Sequence, residues 1–454
     1  MVFREMRDSR CWAVAMVLGL VIGGRAAAQG VVYQADGSVN SGYTQATQSV
    51  VSPDPMPDPA DVKSTSTGAF FTEIRPGILI QSGSPRVTWR VGYMFAGILS
   101  VTTDQSIAYT NQANLSLAAE LTRFTTLTLL GSAAQGGSSF LLGQQAADAG
   151  QPQIRAPGNP SLITASVGET IAWEARKHTT LQQSLSAALS APQDNFEARN
   201  SILTGALSLN QVVDPRDALG LELRASVSWL QELDMSLPAY KTTMNSVRAR
   251  WNRDISQQWN AVASAGVGQV FTDTGSKPLA FYPIGNLAAR YSFGMNAVGA
   301  LEYTHDIATN LQVGTVSLTD QVTARGMLTL DVEKLRVLSF SGGVLHNQPI
   351  GEATALVAAS SGTAVQGDVG FTTALRRNIL ATARYSVAYQ FDQEGALGPT
   401  LIHIFFVGLT GRYSNSDQAL RGVPSRGQRV DGSDGQGFPV IVDKPIDTSV
   451  DAPK

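Results

Sequence analysis

Leu219-Gly220-Leu221-Glu222-Leu223-Arg224-Ala225-Ser226-Val227-Ser228-Trp229-Leu230 decides the fold class. Leu219, Leu221, Leu223, Ala225, Val227 and Trp229 alternate with Gly220, Glu222, Arg224, Ser226, Ser228 and Leu230, a period of two that only an extended strand converts into one apolar face. The same pattern returns at both ends of the chain. Val87, Trp89, Val91, Tyr93 and Phe95 alternate with Thr88, Arg90, Gly92, Met94 and Ala96, and Ile379 to Phe391 repeats the alternation through Tyr385, Val387 and Tyr389. Each segment is about ten residues or longer, roughly twice a globular strand. A strand tilted about 45° needs about 9–11 residues to cross a bilayer core. Length and period together predict an all-β chain, folded as a single antiparallel transmembrane β-barrel.

Connections give an independent test. Short ones are read near 123–125, 176–178, 214–217, 254–257, 294, 331–334 and 376–378, with longer ones at 136–159, 192–198, 232–240, 273–279, 306–315, 346–362 and 392–398. Strict alternation is expected when tight periplasmic turns oppose longer extracellular loops, and a soluble sandwich has no reason to keep it. Seventeen strands can be placed, the first at 70–81 and the last at 401–413. Single-chain bacterial barrels have an even count. The expectation is therefore 16–18 strands, with 18 preferred and the missing one sought within 43–51 or in a misreading of 69–81.

The flanks divide the chain further. Arg4, Arg7 and Arg10 precede an apolar stretch over 11–24, too short for a helical span, and Ala26-Ala27-Ala28 supplies a cleavage pattern. Residues 1–28 read as a signal peptide and 29–68 as a polar linker carrying Pro53, Pro55, Pro57 and Pro59. Residues 69–413 form the barrel and 414–454 a disordered tail. The one cysteine, Cys11, falls within the signal, which excludes disulfides and Cys chemistry from the mature chain. Charged residues make up 15% of the sequence, against about 25% in an ordinary globular domain. A formal charge of −3 with no polybasic tract gives no support to nucleic-acid binding.

On these residues the chain resembles the broad class of Gram-negative outer-membrane barrels, porin-like channels and barrels associated with exopolysaccharide export. Phe406-Val407-Gly408-Leu409-Thr410-Gly411-Arg412-Tyr413 is similar to the aromatic-ended last strand that such proteins present to the barrel assembly machinery, although about forty residues follow it here. The resemblance implies residence in the outer membrane among its lipids. It also implies passage of hydrophilic solutes or assistance to polysaccharide export, with periplasmic export partners in the second case.

Function is then sought on the inward face. The register turns Arg90, Arg224, Arg248, Arg250, Arg325 and Arg384 inward with Glu222 and Asp368, and with them Arg290, Arg412, Glu120, Glu174 and Glu302. Two readings stand: a slightly basic, selective pore, or a set of Arg–carboxylate pairs bracing the wall. Trp89, Trp173, Trp229, Trp251 and Trp259 face the lipid, mostly near strand ends, as a girdle does. The loop at 136–159, with Phe140-Leu141-Leu142, is a candidate constriction or a plain surface loop. His305-Asp306 stands where barrel enzymes carry their sites, but adjacent strand residues face opposite ways, and no Ser has a nucleophile context. His178, His346 and His403 have no metal-like spacing. No enzyme activity, cofactor or metal is expected; a structural or adhesive surface barrel working through its loops is the alternative.

Overall fold

The computed structural model describes residues 31–50, 63–84, 86–101, 106–137, 161–193, 195–196, 199–231, 240–273, 280–293, 296–311, 315–331, 335–350, 362–376, 378–391 and 400–414. The proposed signal, the Pro-containing stretch at 53–59, most of the 136–159 loop and the C-terminal tail lie outside them.

Eighteen strands form one closed antiparallel sheet. They are β1 (Val32–Val50), β2 (Lys63–Gly83), β3 (Val87–Val101), β4 (Ser106–Thr122), β5 (Thr125–Gly137), β6 (Ser161–Arg176), β7 (Thr179–Pro192), β8 (Asn200–Asp214) and β9 (Asp217–Leu230). The ring continues through β10 (Tyr240–Asp254), β11 (Trp259–Thr272), β12 (Ala280–Phe293), β13 (Ala297–Asn310), β14 (Thr315–Asp331), β15 (Arg336–Pro349), β16 (Gly362–Arg376), β17 (Ile379–Gln390) and β18 (Thr400–Ser414). Every strand pairs with its sequence neighbours, and β1 closes the ring by pairing with β18 from Gln34↔Ser414 to Gln48↔Thr400. Closure leaves no edge strand, so the backbone polar groups are satisfied within the sheet except where the β12–β13 ladder stops at Gly285↔His305.

The preferred count of eighteen holds, and the missing strand is β1. Residues 29–68, expected as a linker, instead supply Val32–Val50 and the start of β2 at Lys63. The physical reason is visible in its outward positions: Gly37, Ser41, Gln45 and Thr47 interrupt Tyr33, Val39 and Tyr43, so the alternation is faint. Backbone ladders to β2 and β18 hold this strand in place of side-chain pattern. Its seam with β18 is close: a Cβ on Gly42 would meet the Phe405 carbonyl oxygen and the Phe406 side chain. Gly at this point lets the two backbones approach.

Short turns gather at one end, together with both chain ends of the barrel. The longer gaps between strands gather at the other. One expected long loop is different. Within 306–315, expected as a loop, β13 runs on to Asn310 and β14 begins at Thr315.

The outer face carries Leu219, Leu221, Leu223, Val247, Val267, Leu287, Leu301, Val344, Val407 and Leu409, all well exposed. The Trp259 and Tyr291 rings meet at 4.7 Å in a tilted contact near the short-turn end, with Phe293 stacked on Tyr291, while Phe271 and Phe281 mark the other end. From Trp259 to Phe271 is a climb of twelve residues. At about 3.3 Å per residue and a tilt near 45° it spans roughly 28 Å, the height of a bilayer's apolar core.

Candidate functional site

At the same tilt near 45°, an 18-stranded wall with strands about 4.8 Å apart has a backbone radius of roughly 19 Å, wide enough for an aqueous lumen. All eight residues expected to line it point inward, opposite exposed apolar neighbours. They differ in environment. Arg90 is exposed, and its Nη2 donates to Gln81 at 3.4 Å. Arg224, Arg250, Arg325 and Arg384 are half-buried, whereas Glu222, Arg248 and Asp368 are buried. Arg384 Nε donates to Asp368 at 2.5 Å, and Ser386 donates to the same carboxylate oxygen at 2.7 Å. On β2, Arg75 Nε reaches Glu73 at 2.6 Å, and Asn40 Nδ2 on β1 donates to the other oxygen of Glu73 at 2.9 Å. Asn286 bridges Glu302 and Thr304. These contacts run along the wall, between one strand and itself or its neighbour.

The contact made by Arg248 has another geometry. Its Nη2 donates to both oxygens of Asp306, at 2.8 and 2.7 Å, between β10 and β13, which are not adjacent strands. The backbone explains how they meet. β13 pairs with β14 along its whole length, but with β12 only from Ala297 to His305. Past His305, β13 parts from β12 while β14 stays in the ladder with β15 down to Ser317↔Pro349, so this end of the β13–β14 hairpin leans into the lumen with the ring open on its β12 side alone.

Its tip lies against the inner faces of β8 to β11. Leu230, Met244, Val270 and Val316 form a buried cluster, with Ile202, Tyr282, Ile307 and Leu311 packed on it. Asn200 on β8 fastens the tip, its Nδ2 donating to the Leu311 carbonyl at 2.9 Å while its Oδ1 accepts the Gln231 N–H. Thr309 reaches the Met244 sulfur, and Thr319 donates to Asn347 at 2.9 Å. Thr315, Val316 and Ser317 are all buried, as they must be where both hairpin faces are covered. The Arg248 and Asp306 side chains are 2% and 4% exposed, so the pair is sealed from the lumen water.

Sequence reasoning missed this hairpin and placed a loop there. A signal was present. Ile202, Leu230, Met244, Val270, Tyr282 and Ile284 occupy inward positions near the long-loop ends of five consecutive strands, where a water-filled lumen calls for polar groups. An apolar inner wall needs an apolar cover.

The outer face at the same height is polar. His305 points outward, away from Asp306, and its Nδ1 lies 2.7 Å from Asp320, which also accepts from the Tyr303 hydroxyl at 2.8 Å. His346 pairs with Thr363 at 3.0 Å and His403 with Tyr385 at 2.7 Å. His178 sits in the β6–β7 turn with φ 75°, its carbonyl accepting from Val212. The side chains of His305 and Asp306 therefore never meet. Among the described residues no three His, Cys, Asp or Glu converge as metal ligands. All five Trp side chains face outward; Trp89, Trp173, Trp251 and Trp259 stand near the short-turn end with Tyr33 and Tyr413, and Trp229 near the opposite one.

By sequence, no protein family and no curated protein matches the chain. Several solved barrels are similar in structure. The Pseudomonas aeruginosa protein OccK7 (OpdD) is 9% identical with a TM-score of 0.42, over 85% of this chain and 99% of that one. The ferric-catecholate import receptor Fiu from E. coli K12 is 10% identical with a TM-score of 0.41, over 85% and 82%. Likeness this distant assigns neither substrate nor activity to this chain.

Proposed function

We propose that this chain is a channel of the bacterial outer membrane, delivered there by the cleaved signal at residues 1–28, that passes small hydrophilic solutes through a lumen narrowed by the β13–β14 hairpin. The outer-membrane reading rests on the closed ring and on an apolar belt of bilayer height, which water would not tolerate at that extent. Short turns then face the periplasm and the longer loops the exterior. The single observation that carries the channel reading is the end of the β13–β14 hairpin, which leans into the lumen and is tied there by the buried Arg248–Asp306 pair.

The inward arginines divide accordingly. Arg90, beside Gln81 and open to the lumen, acts on passing ions through its charge. Arg248 lies beneath the hairpin and acts through the shape of the mouth. Wall pairs such as Asp368–Arg384 brace the barrel and temper the basic excess. Assistance to polysaccharide export has no observation in its favour.

Refolded protein in planar bilayers should give stepwise conductance with a reversal potential displaced toward anions, and Arg90→Ala should reduce that displacement. A folded, inserted barrel that carries no current would refute the proposal.

A further inference from the structure

The ladder between β12 and β13 stops inside the apolar belt. It runs from Phe293↔Ala297 to Gly285↔His305, whereas β11 accompanies β12 as far as Ala280 and β14 accompanies β13 as far as Asn310. From Gly285 to Phe281, at the long-loop boundary, about 13 Å of β12 therefore has no partner strand on its β13 side. Lipid offers no hydrogen bonds, so an open edge at this depth has to be provided for by the protein. Both edges are. Backbone N–H groups alternate in direction along a strand. Counted from Ser292, whose N–H donates to Gln258 on the β11 side, the nitrogen of Pro283 faces β13, and it carries no hydrogen. Counted from Asn296, whose carbonyl accepts from Thr329 on β14, the Ile307 N–H faces the β12 side, and it donates to Asp306 Oδ1 at 2.8 Å. The open stretch is also apolar on both faces. Phe281 and Pro283 point to lipid, while Tyr282 packs on the Leu230 cluster and Ile284 is buried on the inner wall. On β9 the inward positions are instead Glu222, Arg224 and Ser226. Hydrocarbon surface thus continues from the lipid side, around the open edge, to the inner wall. Ile307 closes the way: it reaches past β12 to β11, where a Cβ on Gly268 would come within 2.6 Å of its Cδ1.

We infer that the open stretch between β12 and β13 is a lateral portal from the outer half of the bilayer, closed by Ile307, and that it admits the hydrocarbon tail of a membrane amphiphile to the apolar patch at Tyr282 and Ile284. A tail that leaves the bilayer for this patch exchanges one hydrocarbon surrounding for another. Its entry is therefore limited by displacement of Ile307 and not by desolvation. The Arg248–Asp306 pair and the Asn200–Leu311 contact pin the segment around Ile307 at both ends, and β14 stays laddered to β15. The portal thus opens by local movement at Ile307, with the hairpin in place. It rests on the placement of the apolar belt in the membrane, and not on the channel reading above.

The test uses the full barrel in vesicles of a phosphatidylcholine that carries a diazirine at the end of one acyl chain. Photolysis followed by peptide mass spectrometry locates the attachment. A tail held in the bilayer by a second chain and a headgroup reaches inward residues only from the side. Label on Tyr282 or Ile284, in addition to lipid-facing Phe281 and Leu287, is the expected result. Ile307→Ala should raise the inward share about tenfold, the weight of one large apolar side chain removed from the seal. Label confined to lipid-facing residues of the parent overturns the inference, and that arm needs no variant. Label on Gln112 or Asn114 overturns it too, because β4 is laddered on both sides there and the tail would have come through the lumen. An inward share that Ile307→Ala leaves unchanged refutes closure by Ile307. Inward label in a barrel without conductance would sustain the portal and sink the channel reading. A conducting barrel labelled only on its lipid face does the reverse.

Discussion

Two sides of the barrel bury charge in different ways. On β16 and β17, Asp368 and Arg384 are cross-strand neighbours in one ladder, two steps apart in register, and bracing them costs the lumen no space. On β10 and β13, Arg248 and Asp306 are 58 residues apart in sequence and joined because β13 parts from β12 past His305 and its end leans inward. The first pair can be broken and the ring still stands, since the backbone ladders define it. Breaking the second removes a tie between the inward end of the hairpin and the wall across from it, and leaves that end to Asn200, the Leu230 cluster and the ladder to β15. Burial sharpens the contrast: Arg384 is 21% exposed and its lumen water screens it, whereas Arg248 is 2% exposed and has no such relief.

Breaking the hairpin's pair should have the largest effect. Arg248→Met leaves Asp306 buried without its cation and should weaken docking by about 3–5 kcal/mol. Single-channel conductance should rise, and limited proteolysis should cut near residue 311 in the variant but not in the parent. A smaller effect in the same direction is expected from Leu230→Ala. Leu230 is fully buried under the tip, and the cavity should cost about 2–4 kcal/mol. On the opposite wall, Asp368→Asn should leave conductance unchanged and move the reversal potential further toward anions. A change in conductance there would erase the distinction between wall pairs and the hairpin pair. Least of all, Trp251→Phe keeps the ring at the membrane boundary and loses the hydrogen bond from Nε1 to Asp217, for about 0.5–1 kcal/mol in urea titration of the folded barrel.

The barrel was legible because its outer face is written in period two and its connections alternate in length. Leu219 to Trp229 and Val87 to Phe95 each name their lipid face without ambiguity, and every Trp follows. β1 was hard to read because a closing strand is held by backbone hydrogen bonds, and small or polar outward residues such as Gly37 and Ser41 satisfy that need without any apolar signature. The inward direction of the nominated arginines followed from the same parity. Which of them meets water did not, because that depends on where residues 306–319 travel. Period-two reasoning treats each strand as staying in its sheet, and β13 itself has no Gly or Pro at His305; the break is marked on its partner, where Gly285 pairs with His305 and Pro283, which has no N–H to donate, lies two residues beyond. The apolar inward residues from Ile202 to Ile284 were a second clue, and they need three-dimensional neighbours to be recognised as a docking surface.

The most direct test of the constriction is single-channel conductance of a barrel in which residues 307–318 are replaced by a tight turn joining Asp306 to Thr319, which are paired in register. The account predicts a folded barrel whose unit conductance is larger than that of the parent in the same salt. Equal conductance from the two would show that the hairpin does not narrow the pore, and the central claim would fall.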